Sequence, residues 1–562
     1  MNLSARIHRL PGFRTGVLAI LLLFALLAAT LWPATLDDAF ISYRYARHFV
    51  EGHGLVFNPG ERVEGYSNLL WVLLLSPAIA MGWDAEAASK LIGAGCGLGI
   101  LLLAMLLLRR HFRASGPVVL LFGAWLATCT GFVYYAVSGL ETLFYTLQLL
   151  LLIWFLVQKK PGRAALVCTT LLITRPEGML FILPLALCVW PGWQEGKAGV
   201  MGFLQRLPVK RSGGQGAGKW WLYPLLPAAG LALTTLWRWH YYGALLPNTF
   251  FAKIKTHWGL LHYAMWHTQT FINYLYQSFA WNEWVLIFAL FYALFQYSRR
   301  DLAPAAVLGC LLFFIWFSGS DWMSFGRFYV PALPVLGLFA WAGVQAFASA
   351  LQRRSDKGRR LWLWLSLPIL FNLVTFYYAD EELASGEKIN PAMHSRPHRA
   401  VGLWLREHAR PGEKLVVNEI GAIGWYSNLP VIDMIGLTSK QIPGFWKSGD
   451  FAGYADFILA QRPVWIALND RQEPGDEGMD PVHRALYERM QADGSFQLVR
   501  TFPLRRDKIC SSSGGTGHEP CAGTAGFRRG RRVVFPEHPC RKGDRRRPLD
   551  RRLLFPRCIS LS

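Results

Sequence analysis

The sequence predicts a polytopic α-helical membrane protein that ends in a small α/β domain and a basic tail. Of its 562 residues, 53% are hydrophobic and only 17% are charged, which is an unusual balance for a soluble domain. Apolar runs of about 17 to 25 residues, long enough to cross a hydrocarbon core of about 30 Å, recur up to about residue 380. These observations exclude a single soluble domain and a largely disordered chain.

About eleven helical spans are predicted in residues 1–380. They lie at about 16–35, 88–108, 117–136, 141–158, 163–175, 177–191, 219–238, 282–298, 302–318, 328–349 and 360–378. The apolar stretch 68–82 is predicted to be interfacial or re-entrant, because a further span there would move the Arg109–Arg113 cluster to the outer side. The stretch 163–191 is predicted to be a hairpin broken at Arg175–Glu177, with one interrupted span as the alternative.

The formal net charge of +22 is distributed unevenly, and the distribution predicts the orientation. Residues 1–380 contain 30 Lys and Arg against 15 Asp and Glu, whereas residues 381–504 contain 13 against 16. With a cytoplasmic N-terminus, 21 of those 30 basic residues fall in inside loops, as the positive-inside rule requires. The sequence therefore predicts a multi-pass protein of the cytoplasmic (inner) membrane. No nucleic-acid partner is expected, since the excess charge flanks the membrane.

Residues 381–504 are predicted to form an extracytoplasmic α/β domain, because an odd number of spans precedes them. Its helices are expected near 397–409, 453–461 and 481–492, and its strands at Leu415–Val417, Pro430–Asp433, Val464–Leu468 and Phe496–Phe502. Helices that alternate with strands favour a partly parallel sheet.

Residues 505–562 form an atypical tail that is predicted to be disordered. The tail contains 15 Lys and Arg against 5 Asp and Glu, and it has neither Trp nor Tyr. Its four Cys residues contain no C-x-x-C pair, so a zinc site is poorly supported. The other five Cys lie in apolar runs, where a thiol packs as a small hydrophobe.

Polar residues in otherwise apolar surroundings share the predicted outer side, and we expect them to line a polar site that binds substrate. These candidates are Asp37, Asp38, Glu141, Arg175, Glu177, Asn248, Lys253, Asp321 and Arg327. Ionisable groups at membrane depth are costly unless they line a site or pair with one another.

Asp37 and Asp38 are the candidate catalytic residues. Two adjacent carboxylates repel each other, so one of them can remain an ionised base or bind a divalent cation. The alternative is structural, with an acidic residue capping or starting a helix over residues 38–50.

Arg175, Lys253 and Arg327 are candidates for binding a phosphate group. Guanidinium and ammonium groups supply charge-assisted hydrogen bonds to phosphate oxygens. The alternative is that these cations form structural ion pairs with Glu177 and Asp321.

The segments Leu36–Ala46, Gly52–Glu61 and Val63–Asn68 resemble the first outer loop of GT-C glycosyltransferases related to the terminal β-(1→2)-arabinofuranosyltransferases of actinobacterial cell walls. Later motifs are similar to that family in order and spacing. These are Gly139–Thr142, Thr174–Gly178, Tyr242–Gly243, Leu246–Thr249, Gly319–Trp322, Gly326–Phe328 and Asn418–Leu437. The resemblance covers roughly residues 30–470.

The resemblance implies an enzyme that takes a sugar, with arabinofuranose as one candidate, from a polyprenyl-phosphate donor. The acceptor would be a hydroxyl of an envelope glycan, lipid or protein on the outer side of the membrane. It also implies that Asp37 and Asp38 are catalytic and that the outer C-terminal domain helps to receive the acceptor. A multi-span transporter or lipid-linked sugar flippase is the main alternative. Transfer of a phospho-substituent or an acyl chain is a second.

Overall fold

The structure is a computed structural model in which two units are distinguished. The helical unit comprises Met1–Phe250 and Thr256–Ala384, and the α/β unit comprises Phe251–Lys255 and Ser385–Ser562. The residues that the structure describes are 11–190, 222–253, 267–273, 282–319, 323, 325–352, 366–378, 395–468, 481–493, 496–501, 527–528 and 531–535.

The helical unit has a helix at each of the eleven predicted spans, so the predicted helix positions and the helical class are confirmed. Its helices are α1 (Pro11–Thr30), α2 (Asp37–Val50), α3 (Leu69–Ala80), α4 (Ala85–Arg110), α5 (Gly116–Thr128), α6 (Thr130–Val137), α7 (Thr142–Val157), α8 (Pro161–Thr174), α9 (Ile182–Val189), α10 (Leu222–Tyr242), α11 (Asn248–Lys253), α12 (267–273), α13 (Trp284–Phe295), α14 (Leu302–Ser318), α15 (Ala332–Gln352) and α16 (Ser366–Tyr378). Two 3₁₀ helices, Pro176–Phe181 and Arg299–Asp301, precede α9 and α14.

Several of these helices are suited to crossing a membrane. By length and composition, four helices in the described part of the chain are long and apolar enough, or five if the bent pair α5 and α6 is one span. Shorter apolar helices of 10–17 residues include α3, α7, α8, α13 and α16. The chain is therefore a multi-pass membrane protein, and the number of eleven spans stays a prediction.

The helical unit has two chemically different ends. One end contains the start of α2, where Asp37 and Asp38 lie, and we call it the acidic end. There, Lys90 in the first turns of α4 contacts Trp32, and Leu36 N donates to Ser138 O (3.0 Å). At the basic end, Arg109 in the last turn of α4 lies over the Phe13 ring (4.9 Å). Because a helix rises about 1.5 Å per residue, the 26 residues of α4 separate these ends by about 39 Å.

The predicted span 117–136 is interrupted by a bend of 58° between α5 and α6. The side-chain amide of Asn372 in α16 donates to Trp125 O (3.2 Å), a carbonyl in the last turn of α5. Asn282 in turn donates to Asn372 Oδ1 (3.0 Å) and accepts from Trp125 Nε1 (2.9 Å). These amides satisfy the polar groups that a break in an apolar helix exposes.

The stretch 163–191 is broken at the predicted position. Arg175 adopts an extended conformation between α8 and the 3₁₀ helix Pro176–Phe181. The chain then turns back, so that a Cβ on Gly178 would lie 2.3 Å from Leu171 O. A glycine is therefore required for this close approach to the backbone of α8.

The α/β unit contains a six-stranded, mostly parallel sheet in the order β2-β1-β3-β6-β4-β5. Its elements are α17 (Ser395–His408), β1 (Leu415–Val417), α18 (Ile420–Ser427), β2 (Val431–Asp433), α19 (Ile442–Ser448), α20 (Phe451–Ala460), β3 (Trp465–Ala467), α21 (Pro481–Asp493), β4 (Phe496–Thr501), β5 (Phe527–Arg528) and β6 (Arg531–Phe535). Strand β1 pairs in parallel with β2 and β3, and a core of residues including Val416, Ile432, Ile466 and Leu486 is buried against it. The predicted helices and strands up to residue 501 are present within a few residues.

The prediction of disorder for the whole tail is wrong for residues 527–528 and 531–535. Strand β6 lies between β3 and β4 and pairs in parallel with both, whereas β5 pairs antiparallel with β4. Val533, Val534 and Phe535 have the β-branched and aromatic side chains that favour a strand. The Arg-rich composition of the tail hid this short signal.

Candidate active site

Asp37 and Asp38 form the first turn of α2 at the acidic end. The N-cap position is Leu36, which makes no side-chain capping bond. Neither aspartate is therefore the capping residue, although both occupy the first turn, where acidic side chains favour the helix dipole. Asp37 is buried and Asp38 is partly buried, so the backbone at the start of α2 determines where both carboxylates lie.

Hydroxyl and amide contacts fix α2 against the neighbouring helices. The hydroxyls of Tyr43 and Ser89, in α4, are 2.5 Å apart. Asn68 donates to the hydroxyl oxygen Oγ of Ser42 (3.0 Å), the residue before Tyr43 in α2. Gly139, at φ +87°, packs so closely that a Cβ there would lie 2.3 Å from the Tyr43 hydroxyl. Only glycine fits at position 139, because the backbone there is left-handed and there is no space for a side chain.

A largely buried cluster of charged side chains joins two loops at the acidic end, and Asn68 links it to a third. Arg175 Nη1 donates to Glu141 Oε1 (2.6 Å), and Arg175 Nε donates to Glu177 Oε1. Asn68 Nδ2 donates to the other oxygen of Glu141 (2.8 Å). The guanidinium of Arg175 also lies over the Tyr145 ring (5.7 Å). Glu141 and Glu177 therefore bind Arg175, as the structural alternative expected for Glu177.

Arg327 lies beside this cluster. It is buried, its guanidinium lies 5.0 Å from the Phe328 ring, and the same ring lies 5.7 Å from the guanidinium of Arg175. The structure thus brings together Glu141, Arg175, Glu177 and Arg327 from three separate loops of the sequence.

The segment of residues 36–68 is held against the last turns of α10. Glu64 accepts two hydrogen bonds from Arg238. Leu55 N donates to the Tyr241 hydroxyl (3.0 Å), and the Tyr242 hydroxyl donates to Leu55 O (2.8 Å). A Cβ on Gly54, at φ +89°, would lie 2.3 Å from the Tyr241 hydroxyl. This segment is consequently an ordered part of the acidic end.

Burial changes the pKa values of several groups in this segment, among them Glu64 and His48. Burial raises the pKa of Glu64, and the ion pair with Arg238 opposes that shift. Burial also lowers the pKa of His48 to about 4, and the ring nitrogen Nδ1 of His48 lies 3.0 Å from Val56 O. His48 is therefore neutral at pH 7 and contacts this segment as an uncharged imidazole.

The three remaining predicted residues are Asn248, Lys253 and Asp321, and the structure describes them only in part or not at all. Asn248 begins α11, and its backbone N–H donates to Glu64 O (3.0 Å), which brings it to the segment of residues 36–68. Lys253 ends α11, but its side chain is outside the described residues, as is the whole of Asp321. Their predicted roles in substrate binding therefore stay predictions.

A buried lysine at the acidic end was not among the predicted site residues. Lys90 donates to Glu86 Oε1 (2.8 Å) and to Trp32 O (2.6 Å). The spacing of four residues between Glu86 and Lys90 is a visible signal for a helical ion pair. Asn68, Glu64 and Arg238 also went unnoticed, because their importance depends on partners distant in sequence.

The described residues offer little support for a divalent-cation site. Among them, no group of three or more His, Cys, Asp or Glu side chains is arranged to bind a metal ion. Asp37 and Asp38 by themselves offer two carboxylates, whereas magnesium and calcium sites use about six or more oxygen ligands, some of them water.

Comparisons with known proteins identify one family and several solved structures. Residues 387–520 match a family described as a domain of unknown function, DUF8728, and no curated protein gave a match. The crystal structure of apo ArnT from Cupriavidus metallidurans is 12% identical with a TM-score of 0.47, covering 80% of this chain and 95% of ArnT. The same protein bound to undecaprenyl phosphate is 13% identical with a TM-score of 0.40, covering 85% of each chain.

The cryo-EM structure of the arabinosyltransferase EmbB from Mycobacterium smegmatis is also similar. It is 14% identical with a TM-score of 0.35, covering 88% of this chain and 44% of EmbB.

Proposed function

We propose that the protein is a membrane glycosyltransferase that transfers a sugar from a polyprenyl-phosphate donor to a hydroxyl acceptor. The observation that carries this proposal is the acidic end. There, the helix that Asp37 and Asp38 start is linked through Asn68 to a cluster of carboxylates and guanidiniums from three loops. Charged groups at membrane depth are costly, and their concentration at one end of the bundle is expected for a site that binds a charged lipid.

The chemistry of such a donor matches the side chains at this end. Phosphate leaves as a stable anion, so little acid catalysis is needed at the leaving group. The larger demand is to remove a proton from the acceptor hydroxyl and to stabilise the positive charge that develops on the sugar. A carboxylate does both, and we assign the general base to Asp37 and the neighbouring electrostatic role to Asp38.

The lipid phosphate is assigned to cations of the acidic end, with Arg327 as the first candidate. Arg175 is the weaker candidate for phosphate binding, because Glu141 and Glu177 already neutralise its charge. Its proposed role is to orient these two carboxylates, which remain substrate-binding candidates together with Asn248. Lys253 remains a candidate for binding the lipid phosphate, and Asp321 remains a candidate for binding the substrate.

The acceptor is proposed to be an envelope glycan, lipid or protein on the outer side of the cytoplasmic membrane, with arabinofuranose as one candidate sugar. The α/β unit would then be extracytoplasmic and would help to receive the acceptor. This assignment rests on the motifs Leu36–Asn68 and on the distribution of basic residues among the loops.

The direct test is to incubate the purified protein with a panel of radiolabelled polyprenyl-phosphate sugars and a membrane extract. Undecaprenyl phosphate, which one of the ArnT structures contains, is the natural carrier with which to build the panel. Transfer of label from the lipid to a product that survives mild acid would support the proposal. Label that only exchanges between the two leaflets of proteoliposomes would identify a flippase and contradict it.

A further inference from the structure

Two charged residues of α4 hold the segment of chain that leads into α2. Lys90 Nζ, which is buried, donates to Trp32 O (2.6 Å) and to Glu86 Oε1 (2.8 Å). The same oxygen of Glu86 accepts a hydrogen bond from the Thr35 hydroxyl. The ion pair therefore touches the connecting segment Trp32–Leu36 at both of its ends.

We propose that the Lys90–Glu86 pair is a positioning element that fixes Trp32–Leu36 and thereby sets where the carboxylates of Asp37 and Asp38 lie. This inference rests on the proposed function, in which Asp37 is the general base. Lys90 and Glu86 are positioning residues: they act through the backbone of the segment and are not assigned a contact with the reacting atoms.

The connecting segment needs such support because it is not helical. Within it, Ala34 N donates to Leu31 O (2.9 Å) and Leu36 N donates to Ser138 O (3.0 Å). The Lys90 and Glu86 contacts add side-chain anchors at Trp32 and Thr35. Since α2 begins at Asp37, directly after this segment, a shift of the segment moves the start of α2 with it.

Stability alone is a poor explanation for this ion pair. Burying Lys90 and partly burying Glu86 costs much of what their attraction gains, and apolar residues of similar volume often replace buried pairs without loss. What an apolar replacement does not reproduce is the directed bond to Trp32 O and the acceptor for Thr35. A misplacement of about 1 Å is enough to slow an enzyme by about 10²-fold, so these directed bonds matter most for catalysis.

The test compares Lys90→Met and Lys90→Arg with the matched control Lys160→Met, whose lysine is exposed at the basic end. Each purified protein is assayed with the labelled donor that the panel identifies, and hydrogen exchange is measured over residues 31–40. Lys90→Met is expected to lower kcat at least about 10-fold with KM for the donor unchanged, and to speed exchange in residues 31–40. Lys90→Arg should restore part of both effects.

Three results would overturn the inference. They are an unchanged kcat in Lys90→Met, a raised KM with normal kcat, which would make Lys90 a ligand contact, and an exchange rate equal to that of Lys160→Met. If Lys90→Met fails to fold, the double variant Glu86→Leu with Lys90→Leu removes both charges and is expected to fold with the same loss of kcat. Normal turnover of Asp37→Asn would instead contradict the proposed function. Loss in Asp37→Asn without loss in Lys90→Met would contradict only the positioning role.

Discussion

The two ends of the helical unit bury charge in different ways. At the acidic end, Glu141, Arg175 and Glu177 come from two loops far apart in sequence, and Arg327 joins them from a third. At the basic end, the buried acid Asp301 accepts hydrogen bonds from Ser298 N (2.9 Å) and Ser298 Oγ (2.8 Å) in its own turn and from the Tyr292 hydroxyl (3.1 Å), with His111 Nε2 at 3.0 Å.

This difference separates a structural use of charge from a proposed functional one. The Ser298–Asp301 capping box satisfies the first turn of a helix, as such boxes commonly do. The acidic end instead gathers charges that no single helix requires. Comparing variants at the two ends therefore tests whether the charged side chains at the acidic end form a functional site.

The largest expected contrast is in access from the two sides of the membrane. Glu61 at the acidic end and Arg110 at the basic end are both exposed. In intact cells, a membrane-impermeant thiol reagent is expected to label Glu61→Cys and to leave Arg110→Cys unlabelled until the membrane is opened. The reverse pattern would overturn the orientation and place the acidic end in the cytoplasm.

Removing the shared guanidinium should destabilise the acidic end strongly. Arg175→Met leaves Glu141 buried and Glu177 partly buried without their cation, and breaking a buried pair in this way costs about 3–5 kcal/mol. The matched control is Arg163→Met at the basic end, an exposed arginine over the Phe155 ring, which should cost about 0.5 kcal/mol or less. Chemical unfolding in detergent measures both, and equal losses would contradict the buried cluster.

A change at Asp301 should separate stability from activity. Asp301→Asn keeps the size of the side chain but weakens its contacts with Ser298, Tyr292 and His111. The free energy of unfolding should fall by about 1–3 kcal/mol, with turnover of the remaining folded protein unchanged. A parallel loss of kcat would show that the basic end also takes part in the reaction.

The smallest effect is expected from paired glycine substitutions. Gly139→Ala forces a side chain into a left-handed position against Tyr43 and Ala39, whereas a Cβ on Gly12, in the first turn of α1 at the basic end, meets no atom within 4 Å. Gly139→Ala should lower stability by about 1 kcal/mol or more, and Gly12→Ala should be neutral or slightly stabilising. Thermal melting in detergent distinguishes the two variants. Equal melting temperatures would contradict the tight packing of Gly139 on α2.

The sequence predicted those parts of the fold that depend on local pattern. Apolar runs located the helices of the spans, and short apolar segments between predicted helices located β1 to β4, because these signals are local to each segment. Strand β6 was missed because its partners, β3 and β4, precede it by at least 30 residues and its neighbours are Arg-rich. A strand of five residues gains its stability from that pairing rather than from propensity.

The candidate site was predictable in its charged motifs and not in its pairings. Asp37, Glu141 and Arg175 stand out because ionisable residues are rare in apolar surroundings. The role of Asn68 could not be inferred, since its contacts with Ser42 and Glu141 cross 26 and 73 residues of sequence. Such contacts are decided by packing in three dimensions, which no local pattern encodes.

The most direct test of the proposed catalytic role is the turnover of Asp37→Asn. The substitution removes the proton acceptor and keeps the size of the side chain, and Asp84→Asn, at the exposed N-cap of α4, is the matched control. Loss of a general base slows a reaction by about 10² to 10⁴-fold, whereas loss of an acidic side chain that only favours the helix dipole costs about 1 kcal/mol of stability or less. We expect Asp37→Asn to fold and bind undecaprenyl phosphate normally while kcat falls by that factor and Asp84→Asn stays active. Near-normal turnover in both Asp37→Asn and Asp38→Asn would contradict the account.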